Sequence, residues 1–144
     1  MAETDKWRSL VASWPVARLA TVREDGRPRV VPCCFALDGD TLYSAVDGKP
    51  KRSQRLGRLD DVGVNPAVSL VVDHYADDWT RLWWARLDGR ATVLDDGPEW
   101  QRAVELLRAK YTQYREHPPG GAVIAVRIED WKTWSWSGSA GPPP

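Results

Sequence analysis

Apolar positions divide the chain into an opening helix and a series of short strands. Apolar side chains at positions 7, 10, 11 and 14 recur at helical spacing before Pro15, which predicts a helix over residues 5–14. From position 16 the apolar residues alternate in short runs that are separated by turns rich in Gly, Asp and Pro. The predicted strands are Val16–Arg23, Arg29–Leu37, Thr41–Val46, Ala67–Asp73, Arg81–Leu94, Ala122–Ile128 and Trp131–Ser137.

Two further helices are predicted between these strands. A short one precedes the Asn65-Pro66 turn, and a longer one covers Pro98–Tyr114, with Pro98 at a first helical position. Strands that follow one another closely favour antiparallel pairing, beginning with two sequential hairpins. We therefore expect a mostly β, α+β fold: a small closed or split barrel of about six antiparallel strands with peripheral helices.

Composition narrows the domain organisation and the classes of partner. The 144 residues fit one domain, predicted over residues 1–137, with a flexible tail at 138–144 that has little to bury. Twenty basic residues balance twenty acidic ones, which argues against nucleic acid as a partner. No segment is predicted to span a membrane or to act as a signal peptide, so we expect a cytoplasmic protein.

Cysteine and histidine offer little for a metal centre or a catalytic triad. The two cysteines, Cys33 and Cys34, are adjacent, and the two histidines lie far apart in the sequence. We expect no metal site, and no catalytic residue can be assigned. In a strand the two cysteine side chains point to opposite faces, and the simplest interpretation is that both are small buried hydrophobic groups.

Positive charge is concentrated in one segment, residues 49–58. It contains five cations and no carboxylate: Lys49, Lys51, Arg52, Arg55 and Arg58. Such a segment can bind a small polyanion, because Arg grips phosphate or carboxylate oxygens with paired hydrogen bonds and Lys adds a point charge. The alternative is a solvated charged surface, which is what most local charge runs are.

The nine tryptophans divide into two groups. Trp7, Trp14 and Trp100 lie on helical apolar stripes and are predicted to be core residues. A second group shares strand faces with basic side chains, which suits a subunit interface or a planar ring site. The members of this strand-borne group are Trp84, Trp134 and Trp136.

Several motifs together resemble the flavin- and deazaflavin-binding split β-barrel family related to pyridoxamine 5′-phosphate oxidase. The chain carries Ala17-Arg18-Leu19-Ala20-Thr21, the turn Asp25-Gly26-Arg27-Pro28, and a next strand with Pro32 and Phe35. The downstream run from Val71 to Ala91 is similar to a branch of oxidoreductases that use the deazaflavin coenzyme F420. The carboxyl-terminal arginine-rich signature of true pyridoxamine phosphate oxidases is missing, which argues against that substrate.

The resemblance implies a six-stranded split barrel that forms a homodimer with two equivalent cofactor sites at the subunit interface. It places phosphate-binding cations after the third strand and the cofactor ring beside the second strand. The implied cofactor-binding residues are Lys49, Lys51, Arg55, Arg58, Pro32 and Cys34.

Three functional hypotheses follow from this resemblance. The leading one is an oxidoreductase that transfers a hydride from reduced coenzyme F420 to an electron-poor small molecule, with the cofactor supplying the chemistry. The second is an FMN-dependent oxidase or reductase, which needs a single phosphate site. The third is a protein that binds a flavin, deazaflavin or tetrapyrrole without turnover, which a fold cannot exclude.

Overall fold

The computed structural model describes residues 3–46 and 57–138, and these form one curled antiparallel sheet with helices packed on it. Within the described residues there are four α-helices and seven strands. The helices are α1 (Glu3–Ser13), α2 (Gly57–Val64), α3 (Pro98–Lys110) and α4 (Thr112–Glu116). The strands are β1 (Ala17–Val22), β2 (Pro28–Cys33), β3 (Ala36–Asp38), β4 (Thr41–Ala45), β5 (Ala67–His74), β6 (Trp83–Leu94) and β7 (Val123–Ser135).

Strand order shows why the sheet must curl. The order is β2-β1-β5-β6-β7-β4-β3, so β2 and β3 are the two edges of the sheet. Only Cys34 and Phe35 lie between these edge strands in the chain. Three Cα–Cα steps from Cys33 to Ala36 span at most about 11 Å. The two edges therefore lie close together without pairing, which makes a split barrel and confirms the predicted fold class.

The strand count differs from the six expected. The predicted strand Arg29–Leu37 is two strands, because the chain bends at Cys34 and Phe35 and passes from one sheet edge to the other. The predicted strands Ala122–Ile128 and Trp131–Ser137 are instead one strand, β7, with a bulge opposite the Asp88–Gly89 step. The two sequential hairpins, β1–β2 and β3–β4, are confirmed.

Gly89 explains how β7 continues past its bulge. A Cβ atom at Gly89 would clash with the backbone carbonyl oxygen of Arg127. Only glycine allows the two strands to approach this closely at the irregular step. The pair Glu129-Asp130 lies between two predicted strands, but in the structure it is part of one continuous strand.

Apolar side chains fill two layers. The first lies inside the curled sheet and takes Trp7 and Val11 from α1 and Leu59 and Val62 from α2. The rings of Trp7 and Trp14 both contact Trp83, so their predicted core placement is confirmed. No helix among the described residues has the length and the apolar run that crossing a membrane requires.

The second layer lies between α3 and the strands β3, β4 and β7. Trp100 packs at its margin, and its indole N–H donates to the Gly121 carbonyl oxygen at 2.8 Å. The predicted helix Pro98–Tyr114 breaks at Tyr111, whose extended backbone separates α3 from α4. This break aims the Tyr111 side chain back toward the link between β2 and β3.

Candidate functional site

A cavity at the link between β2 and β3 brings together the predicted site residues that the structure describes. Pro32, Cys34 and Arg58 all line this space of about 180 Å³, hereafter the Cys34 cavity. The remaining lining residues are Val16, Cys33, Ala45 and Tyr114. Lys49, Lys51 and Arg55 fall within residues 47–56, outside the described part of the chain.

Side chains from distant elements hold the backbone of the link. The Ser44 hydroxyl donates to the Cys34 carbonyl oxygen at 2.8 Å. The Phe35 N–H donates to the Tyr111 hydroxyl oxygen at 3.0 Å, and that hydroxyl lies 2.9 Å from the Pro15 carbonyl oxygen and 3.1 Å from that of Phe35. These bonds satisfy backbone groups that no neighbouring strand can pair, so they fix the shape of the cavity wall.

Two cationic side chains converge on this region. The Arg58 Nε atom and the Lys110 Nζ atom are both buried, and neither has a hydrogen-bond acceptor within the described structure. The Lys110 ammonium lies 3.6 Å from the centroid of the Phe35 ring. Burial lowers the pKa of Lys110 to about 8. At pH 7 the side chain is therefore still protonated in most of the molecules.

Cys33 and Cys34 differ in their surroundings. Cys33 is buried, and burial raises the pKa of its thiol against the opposing effects of a Ser44 hydrogen bond and the Arg58 charge. Cys34 is only partly buried and lines the cavity beside Arg58. The interpretation of both cysteines as buried hydrophobic groups is therefore correct for Cys33 and wrong for Cys34.

Sequence reasoning missed Lys110 and Tyr114. Lys110 follows Ala103 and Leu107 on the buried stripe of α3. A lysine at this helical spacing among apolar residues is the feature of the sequence that could have identified it. Tyr114 lines the cavity and packs edge-on against Tyr111, with ring centroids 5.6 Å apart. The break after α3 brings Tyr114 to the cavity, and the sequence pattern had predicted a continuous helix there.

A larger cavity, of about 410 Å³, lies between the β1–β2 turn and α2. Its cations are already neutralised: the Arg29 Nε donates to the buried Asp61 carboxylate at 2.7 Å, and the Thr21 hydroxyl donates to the same oxygen. Burial alone would raise the pKa of Asp61, but these hydrogen bonds outweigh it and lower the pKa. Carboxylates outnumber guanidinium groups around this cavity, which makes it a poor site for an anion.

The outer face of β5, β6 and β7 carries exposed aromatic side chains, hereafter the aromatic face. Trp84 and Trp134 lie opposite each other across the β6–β7 pair. Trp79 and Trp136 form an edge-on pair at 5.8 Å and are 61% and 47% exposed. Beside Trp84, an open hollow of about 340 Å³ is lined by Tyr75. The strand-borne tryptophans of the prediction are thus on one exposed surface.

Within residues 3–46 and 57–138, no group of three or more His, Cys, Asp or Glu side chains is placed to hold a metal ion. Neither histidine lines the Cys34 cavity. The cavity instead presents the partly buried Arg58, the Cys34 thiol, the Tyr114 ring and a fixed backbone edge, and Lys110 lies nearby against the Phe35 ring. Chemically, this set fits an anionic group attached to a flat, partly apolar body.

Seven antiparallel strands whose two edge strands meet without pairing define the chain as a split β-barrel protein. The chain belongs to the pyridoxamine 5′-phosphate oxidase family, whose amino-terminal domain model matches residues 3–135. No curated protein sequence matches it.

Solved structures share the fold at low sequence identity. A conserved hypothetical protein from Mycobacterium tuberculosis has a TM-score of 0.75 and 16% identity, over 94% of this chain and 85% of that one. A FAD-binding protein from Mesorhizobium loti has a TM-score of 0.66 and 23% identity, over 92% and 94%. The heme storage protein HutZ from Vibrio cholerae has a TM-score of 0.68 and 16% identity, over 92% of each chain. These similarities establish the fold alone.

The Tyr111 hydrogen bonds provide a test of what shapes the cavity. Changing Tyr111 to Phe leaves the Phe35 N–H and the Pro15 carbonyl without their partner, so we expect the free energy of unfolding to fall by about 1–3 kcal/mol. Urea denaturation measures this change. The matched control is Tyr75→Phe, because Tyr75 is exposed and its variant should retain wild-type stability. Equal stability of both variants would contradict the role of Tyr111.

The buried Lys110 ammonium makes stability depend on pH. The native pKa of Lys110 is about 8 and its ordinary value is 10.5, so between these values the unfolded chain binds a proton that the native chain does not. The free energy of unfolding therefore rises with pH between about 8 and 10.5 as Lys110 titrates.

We expect Lys110→Met to be more stable than wild type at pH 7, with the difference shrinking as pH approaches 10. Urea midpoints of the two proteins at pH 7, 8, 9 and 10 measure this, and comparing them at each pH cancels the titration of other groups. A stability difference that stays constant with pH would contradict burial of the charged amine.

Proposed function

We propose that this protein is an oxidoreductase that binds reduced coenzyme F420 at the Cys34 cavity and delivers a hydride to an electron-poor small molecule. The observation that carries the proposal is the pair of buried cationic nitrogens, on Arg58 and Lys110, without acceptors in the described structure. A buried charged nitrogen without a hydrogen-bond acceptor is costly, and an anionic ligand group would lower that cost.

Each described residue has a distinct part in this proposal. Arg58 would hold a phosphate or carboxylate oxygen of the cofactor, with Lys110 contributing a point charge from behind Phe35. Pro32 and Cys34 would border the ring, and Tyr114 would close the opposite wall. When bound, the deazaflavin supplies hydride-transfer chemistry, and the protein supplies position and exclusion of water.

The basic segment extends this arrangement. Lys49, Lys51 and Arg55 precede α2 in the sequence, and α2 carries Arg58 into the cavity. Coenzyme F420 carries a phosphodiester and a tail of linked glutamates, so several cations suit it better than one phosphate site would. Reliance on several charges predicts binding that weakens as salt is added.

The size of the Cys34 cavity supports a second subunit. About 180 Å³ is smaller than the roughly 300–1,000 Å³ of ordinary ligand sites, so one chain's described residues hold only part of a cofactor. Pro32, at the mouth of the cavity, lies on the outer face of β2, opposite Arg18 of β1. We therefore propose that a second copy of the chain covers this outer surface and completes the site.

The aromatic face fits such a homodimer. Two of its arginines are already paired within the chain, because Arg18 contacts Asp73 at 2.9 Å and Arg86 contacts Asp88 at 3.2 Å. Paired charges lower the free-energy cost of removing water from a surface. Exposed tryptophans contribute much of the binding free energy when a partner covers them. The same surface on each protomer would meet in a two-fold arrangement.

FMN binding without coenzyme F420 is the second candidate. The structural similarity to a FAD-binding protein favours it, and one phosphate could satisfy Arg58 alone. Tetrapyrrole binding, suggested by the similarity to a heme storage protein, lacks a histidine ligand at this cavity within the described residues.

Cofactor titration separates these candidates. We expect the purified protein to bind reduced and oxidised coenzyme F420 more tightly than FMN. Quenching of tryptophan fluorescence measures the binding, and the affinity should fall as salt increases. Removing one charged hydrogen-bond donor by Arg58→Ala should weaken binding about ten- to hundredfold and flatten the salt dependence.

Arg102→Ala is the matched control for Arg58→Ala, because Arg102 is exposed and pairs with Asp38 away from the cavity. Its affinity for the coenzyme should match that of wild type. Tight FMN binding with no measurable binding of coenzyme F420 would overturn the leading proposal. Equal affinity of the Arg58 variant and wild type for the coenzyme would contradict binding at the Cys34 cavity.

The homodimer has its own test. We expect wild type to sediment as a dimer at micromolar concentration and Trp134→Asp to sediment as a monomer, because the change buries a carboxylate in an aromatic interface. Val64→Asp is the control: Val64 is 63% exposed, against 37% for Trp134, and it lies on α2, away from this face. A monomeric wild-type protein, or dissociation of both variants alike, would contradict this use of the aromatic face.

A further inference from the structure

The outward side chains of β6 follow an order that complements itself when it is reversed. Every second residue of this strand is buried, so the residues between them face outward. In chain order these outward residues are Trp84, Arg86, Asp88 and Arg90. If a second β6 lies antiparallel across them, centred at the level of Leu87, each carboxylate meets a guanidinium group and each tryptophan meets Arg90.

The neighbouring strand β7 carries the same order on the same face. Residues directly opposite each other in an antiparallel pair share a face of the sheet. The residues opposite Trp84, Arg86 and Asp88 are, in order, Trp134, Lys132 and Asp130. The aromatic face therefore contains a basic band, formed by Arg86 and Lys132, and an acidic band, formed by Asp88 and Asp130.

These bands are poorly balanced within one chain. Like charges directly opposite each other on neighbouring strands destabilise a sheet. Arg86 is offset by Asp88 at 3.2 Å. By contrast, no ion pair among the described residues includes Lys132, Asp130 or Arg90, and all three side chains are exposed. These three charges are available to a partner.

The hollow beside Trp84 has the composition of a site for a guanidinium group. Its volume is about 340 Å³, and Trp84, Tyr75 and Asp73 line it. Arginine side chains favour aromatic rings and carboxylates as neighbours. Arg86 also lines the hollow, but its charge already has a carboxylate partner. Asp73 contacts Arg18 through its Oδ1 atom, and a carboxylate has acceptor sites for a second arginine.

We propose that two copies of this chain pair antiparallel through these bands, about a two-fold axis that crosses the strands at the level of Leu87 and Trp131, which lie opposite each other. The basic band of each protomer then contacts the acidic band of the other. The partner's Arg90 enters the hollow beside Trp84. This inference rests on the homodimer of the proposed function and is independent of its cofactor.

The symmetry of the pattern favours a second copy over an unrelated partner. Arg86 and Asp88 are equally far from Leu87, so a two-fold axis at that level turns each band onto its complement. A polyanion would be repelled by the acidic band, and a basic protein would be repelled by the basic band. An identical surface matches both bands at once.

Charge reversal on β7 tests this pairing in the full-length protein. Asp130→Lys and Lys132→Asp each place like charges at the contact between positions 130 and 132, which the dimer makes twice. We expect either variant to raise the dimer dissociation constant about a hundredfold, measured by analytical ultracentrifugation without cofactor at low salt. An equimolar mixture of the two should form a heterodimer with near wild-type affinity, because opposite charges then meet at both contacts.

The matched controls change net charge by the same amounts elsewhere. Glu105→Lys and Arg108→Asp alter exposed positions on α3, and each variant should retain the wild-type dissociation constant. Circular dichroism checks that every variant is folded. Wild-type affinity in the β7 variants, or folded variants whose mixture stays monomeric, would overturn the antiparallel pairing.

Arg90→Ala provides an independent measurement. Both protomers lose the guanidinium group that enters the hollow, so we expect the dissociation constant to rise about tenfold. Arg102→Ala, which removes an exposed arginine of α3, should leave it unchanged. An unchanged constant for the Arg90 variant would overturn its placement in the hollow.

These outcomes separate this inference from the proposed function. A monomeric wild-type protein would overturn both the pairing and the proposed homodimer. A wild-type dimer that ignores the β7 reversals would overturn the pairing alone. Failure to bind coenzyme F420, with the β7 variants and their mixture behaving as expected, would contradict the cofactor and support the pairing.

Discussion

The two-residue link between β2 and β3 constrains the rest of the structure. It joins the outermost strands of the sheet, so the sheet has to curl until its edges meet, and the edges remain unpaired. Backbone groups in such a gap would be costly if unsatisfied. The hydroxyls of Tyr111 and Ser44 pair with the groups at Cys34 and Phe35, and this requires α3 to end where it does. Barrel closure, the helix break and the cavity are thus consequences of one connection.

Charge distribution separates structural ion pairs from groups that suit a ligand. Arg127 holds Glu99 with two hydrogen bonds and, with a further bond from Tyr43, lowers the pKa of Glu99 to about 2. That pair fastens α3 to the sheet, and the Arg29–Asp61 pair similarly fastens α2. Arg58 instead lines the cavity and Lys110 lies against the Phe35 ring, and their Nε and Nζ atoms are buried without acceptors in the described structure. Although the net charge of the chain is zero, positive charge is therefore in local excess beside the Cys34 cavity, where it is accessible to an anionic ligand.

Periodicity predicted most of the elements, because each strand or helix buries one regular face. It could not predict the break at Cys34 and Phe35, since both halves of that segment are apolar and only barrel closure requires the bend. It also divided β7 at Glu129-Asp130, because the glycine that permits the bulge, Gly89, lies on another strand. Family resemblance supplied Pro32, Cys34 and Arg58. Lys110 and Tyr111 reach the link from 76 positions away along the chain, a distance that local patterns do not span.

Topology does not choose the cofactor in this family, since similar barrels occur in a FAD-binding protein and a heme storage protein. The choice has to come from the side chains that each chain places at its cavity. A porphyrin iron needs an axial ligand, and no histidine lines the Cys34 cavity among the described residues. A ligand with an anionic group beside a flat ring would instead neutralise Arg58 and Lys110 while covering Pro32 and Tyr114. Under the proposed function, the positive charge at the cavity wall matches the phosphate of a deazaflavin or flavin.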